Sequence, residues 1–283
     1  MNNVVALSID NMNLADAMGF SSSASSPTQN TLYRVTAKVI QEIEETTKKI
    51  VSSPVFKITR DEEEIYSREL SVRFFAERQR WEKWDSAANT TQRTVMALNL
   101  KSDLKDTLGT YNLNRGGYVK DWDALPQERK DFISSIRRCK VMMGMVTLID
   151  PFYEGGAPAT GYDTEDDEIP FIMDVKNRDS LKYIEASTDK LTRKSILPIE
   201  HTINLTGEVK TMPNGNTFAV IHSSLGDHVG FSDGDNAMLQ DFVDYVQGRN
   251  EYVLHKWDEM HVESLSSEDA AIINSIVDVQ DFE

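Results

Sequence analysis

The chain has 283 residues, 40% of them hydrophobic, and a formal net charge of −16. This length and apolar content allow one large domain or two small ones and exclude wholesale disorder. The single cysteine, Cys139, excludes an intrachain disulfide framework and a multi-cysteine zinc site, and it suits a reducing compartment. No segment reaches the roughly 18 apolar residues of a membrane span, and the N-terminal MNNVVALSIDNMNL lacks the basic region of a secretory signal. We therefore expect a cytoplasmic protein that does not contact a membrane.

The negative charge is concentrated in two segments. Residues 150–174 carry 8 acidic and no basic side chains, and residues 211–283 carry 14 acidic against 2 basic ones. Residues 1–149 hold 21 basic against 19 acidic side chains, and residues 175–210 hold 7 against 5. The overall acidity therefore conceals a mildly basic core.

The first 52 residues predict an arm followed by a helix. Residues 1–30 end in the serine-rich GFSSSASSPTQN, which is typical of a flexible N-terminal arm. Thr31–Ser52 predicts a helix, because Val35, Val39 and Ile43 recur close to the 3.6-residue period.

The next segment predicts strands. Val55–Thr59 is short and β-prone, and Leu70–Leu100 alternates apolar and polar side chains on both sides of the turn-like DSAANT. We expect a long hairpin over Leu70–Leu100, and the pattern leaves open whether this hairpin joins the central sheet.

Leu104–Pro126 predicts a loop that mixes glycines with aromatic and basic residues. These residues include Tyr111, Arg115, Tyr118, Lys120 and Trp122. A short helix is expected over Pro126–Arg138, since proline is favoured in the first turn.

Residues 137–224 predict a compact sheet-forming unit. Its expected order is strand, acidic loop, strand, basic amphipathic helix, strand, turn and strand. The turn is Pro213–Gly215, where Asn-Gly supplies the positive φ angles of a tight hairpin. The corresponding segments are Cys139–Asp150, Asp150–Glu168, Ile169–Lys176, Asn177–Lys194, Pro198–Val209, Pro213–Gly215 and Asn216–Ser224.

The last quarter predicts a helix and an acidic tail. Ser232–Leu265 has an apolar stripe, and Gly248 is compatible with a bend or a division in it. Residues 263–283 contain six acidic and no basic side chains. We predict a flexible arm over 1–30, one α+β nucleic-acid-binding domain over 31–262 and an acidic C-terminal tail over 263–283.

Aromatic and basic residues together favour single-stranded nucleic-acid binding, which needs cations for phosphates and rings on which bases stack. The same residues also suit a partly buried core and a solvated helix face, so each of them alone is weak evidence. The candidate binding residues are Tyr111, Arg115, Tyr118, Lys120, Trp122, Lys176, Arg178, Lys182, Arg193 and Lys194, with Phe152 and Tyr153 as further stacking candidates. The tail residues Asp278, Asp281, Phe282 and Glu283 are candidates for partner binding.

Two alternatives stay open. Asp150, Asp174 and Lys176 imitate the acidic and lysine residues of metal-dependent nucleases, in which carboxylates hold Mg²⁺. An acidic protein could instead bind a host protein through its acidic segments. The five histidines show no metal-ligand spacing, although His201 and His222 could meet across the predicted hairpin, and no nucleophile-elbow or P-loop motif is present.

Several stretches give this chain a resemblance to a known group of proteins. They include NLNRGGYVKDW from Asn112, RRCK from Arg137, VKNRDSLK from Val175 and PNGNTF from Pro213. Over about residues 104–225 the chain resembles bacteriophage proteins regarded as single-stranded-DNA-binding replication proteins. The resemblance implies a role in phage DNA replication or recombination, and an oligonucleotide-binding (OB-like) β-barrel is the fold expected from that role.

We therefore predict an α+β protein with an OB-like β-barrel core and added N- and C-terminal helices. Its expected function is non-enzymatic, sequence-independent coating of single-stranded DNA without a cofactor. The acidic tail is expected to recruit replication or recombination proteins, and self-association into a homo-oligomer is compatible with this role.

Overall fold

The computed structural model describes residues 32–44, 46–60, 63–115, 121–162 and 168–263, and these form an α+β protein with nine strands and three helices. The strands are β1 Tyr33–Ile43, β2 Ile50–Arg60, β3 Glu63–Ser67, β4 Glu69–Asp85, β5 Thr90–Arg93, β6 Arg137–Ile149, β7 Ile169–Val175, β8 His201–Thr211 and β9 Thr217–His228. The helices are α1 Gln127–Ser135, α2 Arg178–Thr192 and α3 Asp233–Glu263. The predicted arm over 1–30 and nearly all of the predicted tail lie outside the described residues.

All nine strands belong to one sheet. Its order is β3-β2-β1-β7-β6-β4-β8-β9, and β5 pairs with the C-terminal part of β4. Every pairing between these strands is antiparallel except the short parallel ladder between β1 and β7. Among the described residues β3 and β9 end the path and do not pair with each other, so the sheet is open.

The predicted helix over Thr31–Ser52 is wrong. The segment forms β1, a turn and the start of β2, and Ile43 pairs with Ile50 across the hairpin. Apolar residues four apart, such as Val35 and Val39, fit a strand face as well as a helix face. The tertiary structure decides the choice, because β1 pairs with β2 on one side and with β7 on the other.

The predicted hairpin over Leu70–Leu100 is confirmed in its first part. The 17-residue strand β4 turns into β5, which ends at Arg93. Strand β4 also pairs along most of its length with β6, so this hairpin belongs to the central sheet. The pairing is interrupted by a bulge between Phe74 and Ala76, which reverses the direction of the following side chains.

The predicted unit over residues 137–224 is confirmed as β6, β7, α2, β8 and β9, and α1 is confirmed as the short helix before it. Asn177 begins α2 by accepting hydrogen bonds from the backbone N–H groups of Asp179 and Ser180 at 2.9 and 3.0 Å. Gly215, with a φ angle of +84°, supplies the turn between β8 and β9. The C-terminal helix is confirmed as α3, which continues past Gly248 without a break.

The central strands separate two hydrophobic layers. Met142 and Met143 are neighbours on β6, so their side chains point to opposite faces. The cluster that contains Met142 also holds Leu181, Ile184 and Leu191 of α2. The cluster that contains Met143 instead includes residues of α3, among them Phe242. Helices α2 and α3 therefore pack against opposite faces of the central strands.

The sheet curls so that β2 approaches β8. A Cβ atom built on Gly207 of β8 would lie 2.6 Å from the Cβ atom of Pro54 on β2, so only glycine fits at this position without a shift. The curled sheet encloses the first cluster. Within the described part of the chain, none of the helices has the length and hydropathy of a membrane span.

Candidate functional site

The face that carries α2 exposes a group of basic side chains. Arg178, Lys182, Arg193 and Lys194 are all exposed, as is Lys190 between them. None of the five forms an ion pair with another described residue. Lys176 differs from them, since its ammonium group lies 2.5 Å from Glu82 Oε2. This face therefore presents five cations that are available to an anion in solution.

Two of the three carboxylates on residues 178–194 form ion pairs with cations elsewhere in the chain. Asp179 is 3.2 Å from the ammonium group of Lys210 on β8. Glu185 is 3.0 Å from Lys140 and 3.3 Å from Arg138, both on β6. Because these carboxylates are paired with cations outside the segment, they do little to neutralise the exposed cations of α2.

An aromatic pair lies beside these cations. The rings of Tyr183 on α2 and His222 on β9 have centroids 4.1 Å apart, and both side chains are partly exposed. His222 Nε2 also lies 2.7 Å from Glu208 Oε2. Sequence reasoning missed this pair. The signal in the sequence that could have found Tyr183 was its position directly after Lys182 in a predicted basic helix.

The loop that contains Tyr111 lies on the other face, against α3. The rings of Tyr111 and Trp257 have centroids 4.5 Å apart, and Lys105 Nζ lies 5.7 Å from the Trp257 centroid. Buried Asp106 holds the loop by accepting three backbone N–H hydrogen bonds. Trp122 is 38% exposed, whereas Tyr118, Lys120 and the Arg115 side chain lie outside the described part of the structure. The structure does not bring the Tyr111 loop and the cations of α2 onto one surface.

Phe152 and Tyr153 border a different region. Phe152 stacks on Tyr66 with centroids 5.8 Å apart, and the Arg68 guanidinium lies 5.4 Å from the Phe152 centroid. The groove beside them has a volume of about 660 Å³ and is lined by both signs of charge. Arg68 is itself paired with Glu42 at 2.6 Å. This groove therefore lacks the positive surplus of the α2 face.

The residues proposed for a nuclease site are not assembled. In the β6–β7 ladder Asp174 is paired with Val141, and Asp150 follows nine residues later along β6. At a rise of about 3.4 Å per residue the two carboxylates are roughly 30 Å apart. His201 and His222 are likewise not paired, since His201 is opposite His228 and His222 is opposite Thr206.

Asp174 belongs instead to a network of ion pairs on the α3 face, in which Arg80 and Glu82 are buried and the two outer cations are exposed. Its Oδ2 atom accepts hydrogen bonds from Arg34 at 3.0 Å and from Arg80 at 3.1 Å. Arg80 also donates to Glu82 Oε1 at 2.6 Å. Glu82 Oε2 faces Lys176 at close range, in an electrostatic contact that is not an aligned hydrogen bond. We call Arg34, Arg80, Glu82, Asp174 and Lys176 the ion network.

Burial and charge oppose each other in this network. Burial acts to raise the pKa of Asp174, but Arg80, Arg34 and Lys176 outweigh it and hold that pKa below its usual value. Burial likewise acts to lower the pKa of Arg80, but Asp174 and Glu82 outweigh it and raise that pKa. Asp174 and Arg80 are therefore each held in the ionised form by oppositely charged neighbours.

Cys139 lies next to the network but is not suited to hold a metal ion there. Its sulfur and one oxygen each from Glu82 and Asp174 lie within 4.8 Å of one another. Burial, followed by the charges of Asp174 and Glu82, raises the pKa of the thiol well above its usual range. A metal ligand must be the thiolate, and the carboxylates are already neutralised by cations. This donor set does not fit a divalent metal.

The proposed partner-binding residues Asp278, Asp281, Phe282 and Glu283 lie outside the described residues. The α2 face thus remains the described surface with the clearest excess of available cations. Comparison with known proteins finds no matching family model, no matching curated protein and no matching solved structure.

Proposed function

We propose that this protein binds single-stranded DNA through the α2 face. The observation that carries the proposal is the set of five exposed, unpaired cations on residues 178–194, beside carboxylates that are mostly engaged elsewhere. Such cations neutralise backbone phosphates and release condensed counterions, which makes binding favourable and dependent on salt. Phosphate contacts carry no base information, so this binding has no sequence preference.

Ring stacking supports the same proposal. The Tyr183 and His222 rings are tilted by 33° to each other and both remain partly exposed, so either exposed ring face can take a stacked base. Tyr111 keeps 40% of its surface exposed, but it lies on the opposite face against Trp257 and is not part of this surface. The Tyr183–His222 pair is the aromatic contact nearest in sequence to the α2 cations.

The fold that we propose together with this function is an oligonucleotide-binding barrel. The curled sheet supports it, because β2 approaches β8 across the interior. A groove of about 580 Å³ lies between β1 and the tip of the β8–β9 hairpin, next to Asn177 at the start of α2. In this proposal the groove receives part of the DNA strand.

The biological role that we propose is the coating of single-stranded DNA in phage replication or recombination, in the host cytoplasm and without catalysis or a cofactor. Residues 264–283 hold five acidic and no basic side chains, which supports competition with DNA for the cations and recruitment of partner proteins. Deleting residues 264–283 is expected to tighten DNA binding at low salt. Unchanged affinity would remove the acidic segment from the proposal.

The direct test is fluorescence anisotropy with a labelled oligo(dT) over a range of salt concentrations. The expected result is binding at low salt that weakens linearly on a log–log plot. Absence of binding at low salt would refute the proposal. A parallel incubation with Mg²⁺ or Mn²⁺ tests the nuclease alternative, for which cleavage abolished by Asp174→Ala would be the supporting outcome.

A further inference from the structure

A second set of cations surrounds Glu82 on the α3 face. Besides the cations of the ion network, Arg93 and Arg249 belong to it. Arg93 is directly opposite Glu82 in the β4–β5 ladder. Arg249 of α3 is brought toward this strand because its neighbour Asn250 exchanges two hydrogen bonds with the backbone of Met96, three residues after Arg93. The charges of Arg80 and Arg249 both act on Arg93. Five cations thus gather around two carboxylates, Glu82 and Asp174, which leaves a surplus of three positive charges among the described residues.

Arg93 and Arg249 lack a carboxylate partner of their own. Both side chains are partly buried, and neither forms an ion pair with another described residue. Arg93 Nε donates to the backbone carbonyl of Thr91 at 3.3 Å. The Arg249 guanidinium lies 5.4 Å from the centroid of the Tyr245 ring, and its buried Nε has no hydrogen-bond acceptor.

This surplus cannot be relieved by loss of a proton. Burial, together with the charges of Arg80 and Arg249, lowers the pKa of the Arg93 guanidinium from a very high value, so the positive charge there is disfavoured. Arginine nevertheless stays charged in proteins at neutral pH. Buried charges normally have a counter-charge, because an isolated one is costly. The arrangement therefore favours the binding of an anion.

We propose that Arg93 and Arg249 form a binding site for a phosphate group on the α3 face. A phosphate carries close to two negative charges at neutral pH and accepts the paired N–H donors of guanidinium groups. Arg93 and Arg249 are each only partly buried, so the site can be reached from solvent. This site is separated from the α2 face by the central strands and does not depend on the proposed function.

The test is thermal unfolding at constant ionic strength, with sodium phosphate replacing sodium chloride. Phosphate at about 100 times its Kd is expected to raise the Tm of the wild type by roughly 5 °C. Arg249→Gln should lose this rise. In phosphate-free buffer the same variant should be at least as stable as the wild type, because one of several repelling charges is gone. Lys49→Gln, which removes an exposed cation in the turn between β1 and β2 and outside both proposed sites, is the matched control and should keep the full rise.

Two outcomes would overturn the proposal. One is that neither phosphate nor oligo(dT) gives the wild type a rise in Tm that Arg249→Gln reduces. The other is an Arg249→Gln protein that is destabilised equally with and without phosphate, since that result identifies an ordinary structural arginine. Arg93→Gln provides an independent second variant if Arg249→Gln does not fold.

The source of the phosphate is distinguished by three ligands. Stabilisation by inorganic phosphate supports a site for a free phosphate, and stabilisation only by 5′-phosphorylated oligo(dT) supports a terminal phosphate. Unphosphorylated oligo(dT) could also stabilise the protein as much as the 5′-phosphorylated strand does. If Arg249→Gln removes this stabilisation and Arg193→Gln does not, the result supports a backbone phosphate. The α2 face is tested by its own variants. Failure of the phosphate-site proposal therefore leaves the proposed DNA binding unaffected, and failure of DNA binding at α2 leaves the phosphate-site proposal unaffected.

Discussion

Helices α2 and α3 flank the same central strands, but the cations beside them are in opposite physical situations. Those of α2 stand in solvent, where an unpaired charge costs little and remains available to a ligand. Beside α3, Arg80 is buried and Arg93 and Arg249 are partly buried, so each of these charges depends on its neighbours. The comparison teaches that the number of cations on a surface says little about function until burial and partners are known.

The largest expected effect comes from removing a carboxylate on the buried side. Asp174→Asn leaves Arg80 and Arg34 with one counter-charge fewer, and loss of one partner of a buried pair costs about 3–5 kcal/mol. Urea unfolding measures the free energy. Asp179→Asn, which breaks an exposed pair with Lys210, is the control and should leave stability unchanged. Equal effects of the two substitutions would contradict the distinction between the faces.

The second largest effect is expected from removing the exposed cations of α2. A protein with Arg178, Lys182, Arg193 and Lys194 all replaced by glutamine should bind oligo(dT) more weakly. For single strands the slope of log K against log salt changes by about 0.7 for each lost phosphate contact, or roughly 2.8 for four. The fold should be intact by circular dichroism, because these side chains form no ion pairs with described residues. An unchanged salt slope would show that DNA binds elsewhere.

A smaller effect is expected from the aromatic pair. Tyr183→Ala should weaken oligo(dT) binding by about 1–3 kcal/mol, the usual contribution of one base stacked on an aromatic ring. The salt slope should not change, because no phosphate contact is removed. Tyr183→Phe keeps the ring and should bind like the wild type. A loss that appears mainly in the salt slope would be inconsistent with stacking.

The smallest expected effect is a gradual loss of folding stability as the pH falls. The pKa of Asp174 is lowered in the folded protein, so its stabilising effect is fully present above the unfolded pKa of about 3.9 and is lost as the pH falls through the folded value. Stability should therefore decline below about pH 4. The urea midpoint of Asp174→Asn should fall less steeply with acid over the same range. Parallel curves for the two proteins would show that other carboxylates control acid unfolding.

The comparison of the faces also explains how far the sequence could be followed. Strands β6 and β7, helix α2 and the β8–β9 hairpin were predictable, since each has a long apolar run, a clear period or an Asn-Gly turn. Strand β1 was not predictable, because an apolar residue at every fourth position fits both the helical period of 3.6 and the strand period of 2. The exposed cations of α2 were found from the sequence, whereas Tyr183 and His222 were missed because they meet only across α2 and β9.

The sequence by itself determined the α+β class, the basic helix and the concentration of acidity in two segments, because composition and local periodicity are properties of neighbouring residues. Only the tertiary structure decided that the Tyr111 loop and the α2 cations lie on opposite faces. It alone placed Arg80 and Arg93 beside Glu82 and brought the charge of Arg249 to act on Arg93. The physical reason is that strand pairing joins residues far apart in the chain, and the electrostatic environment of a charge depends on those distant neighbours.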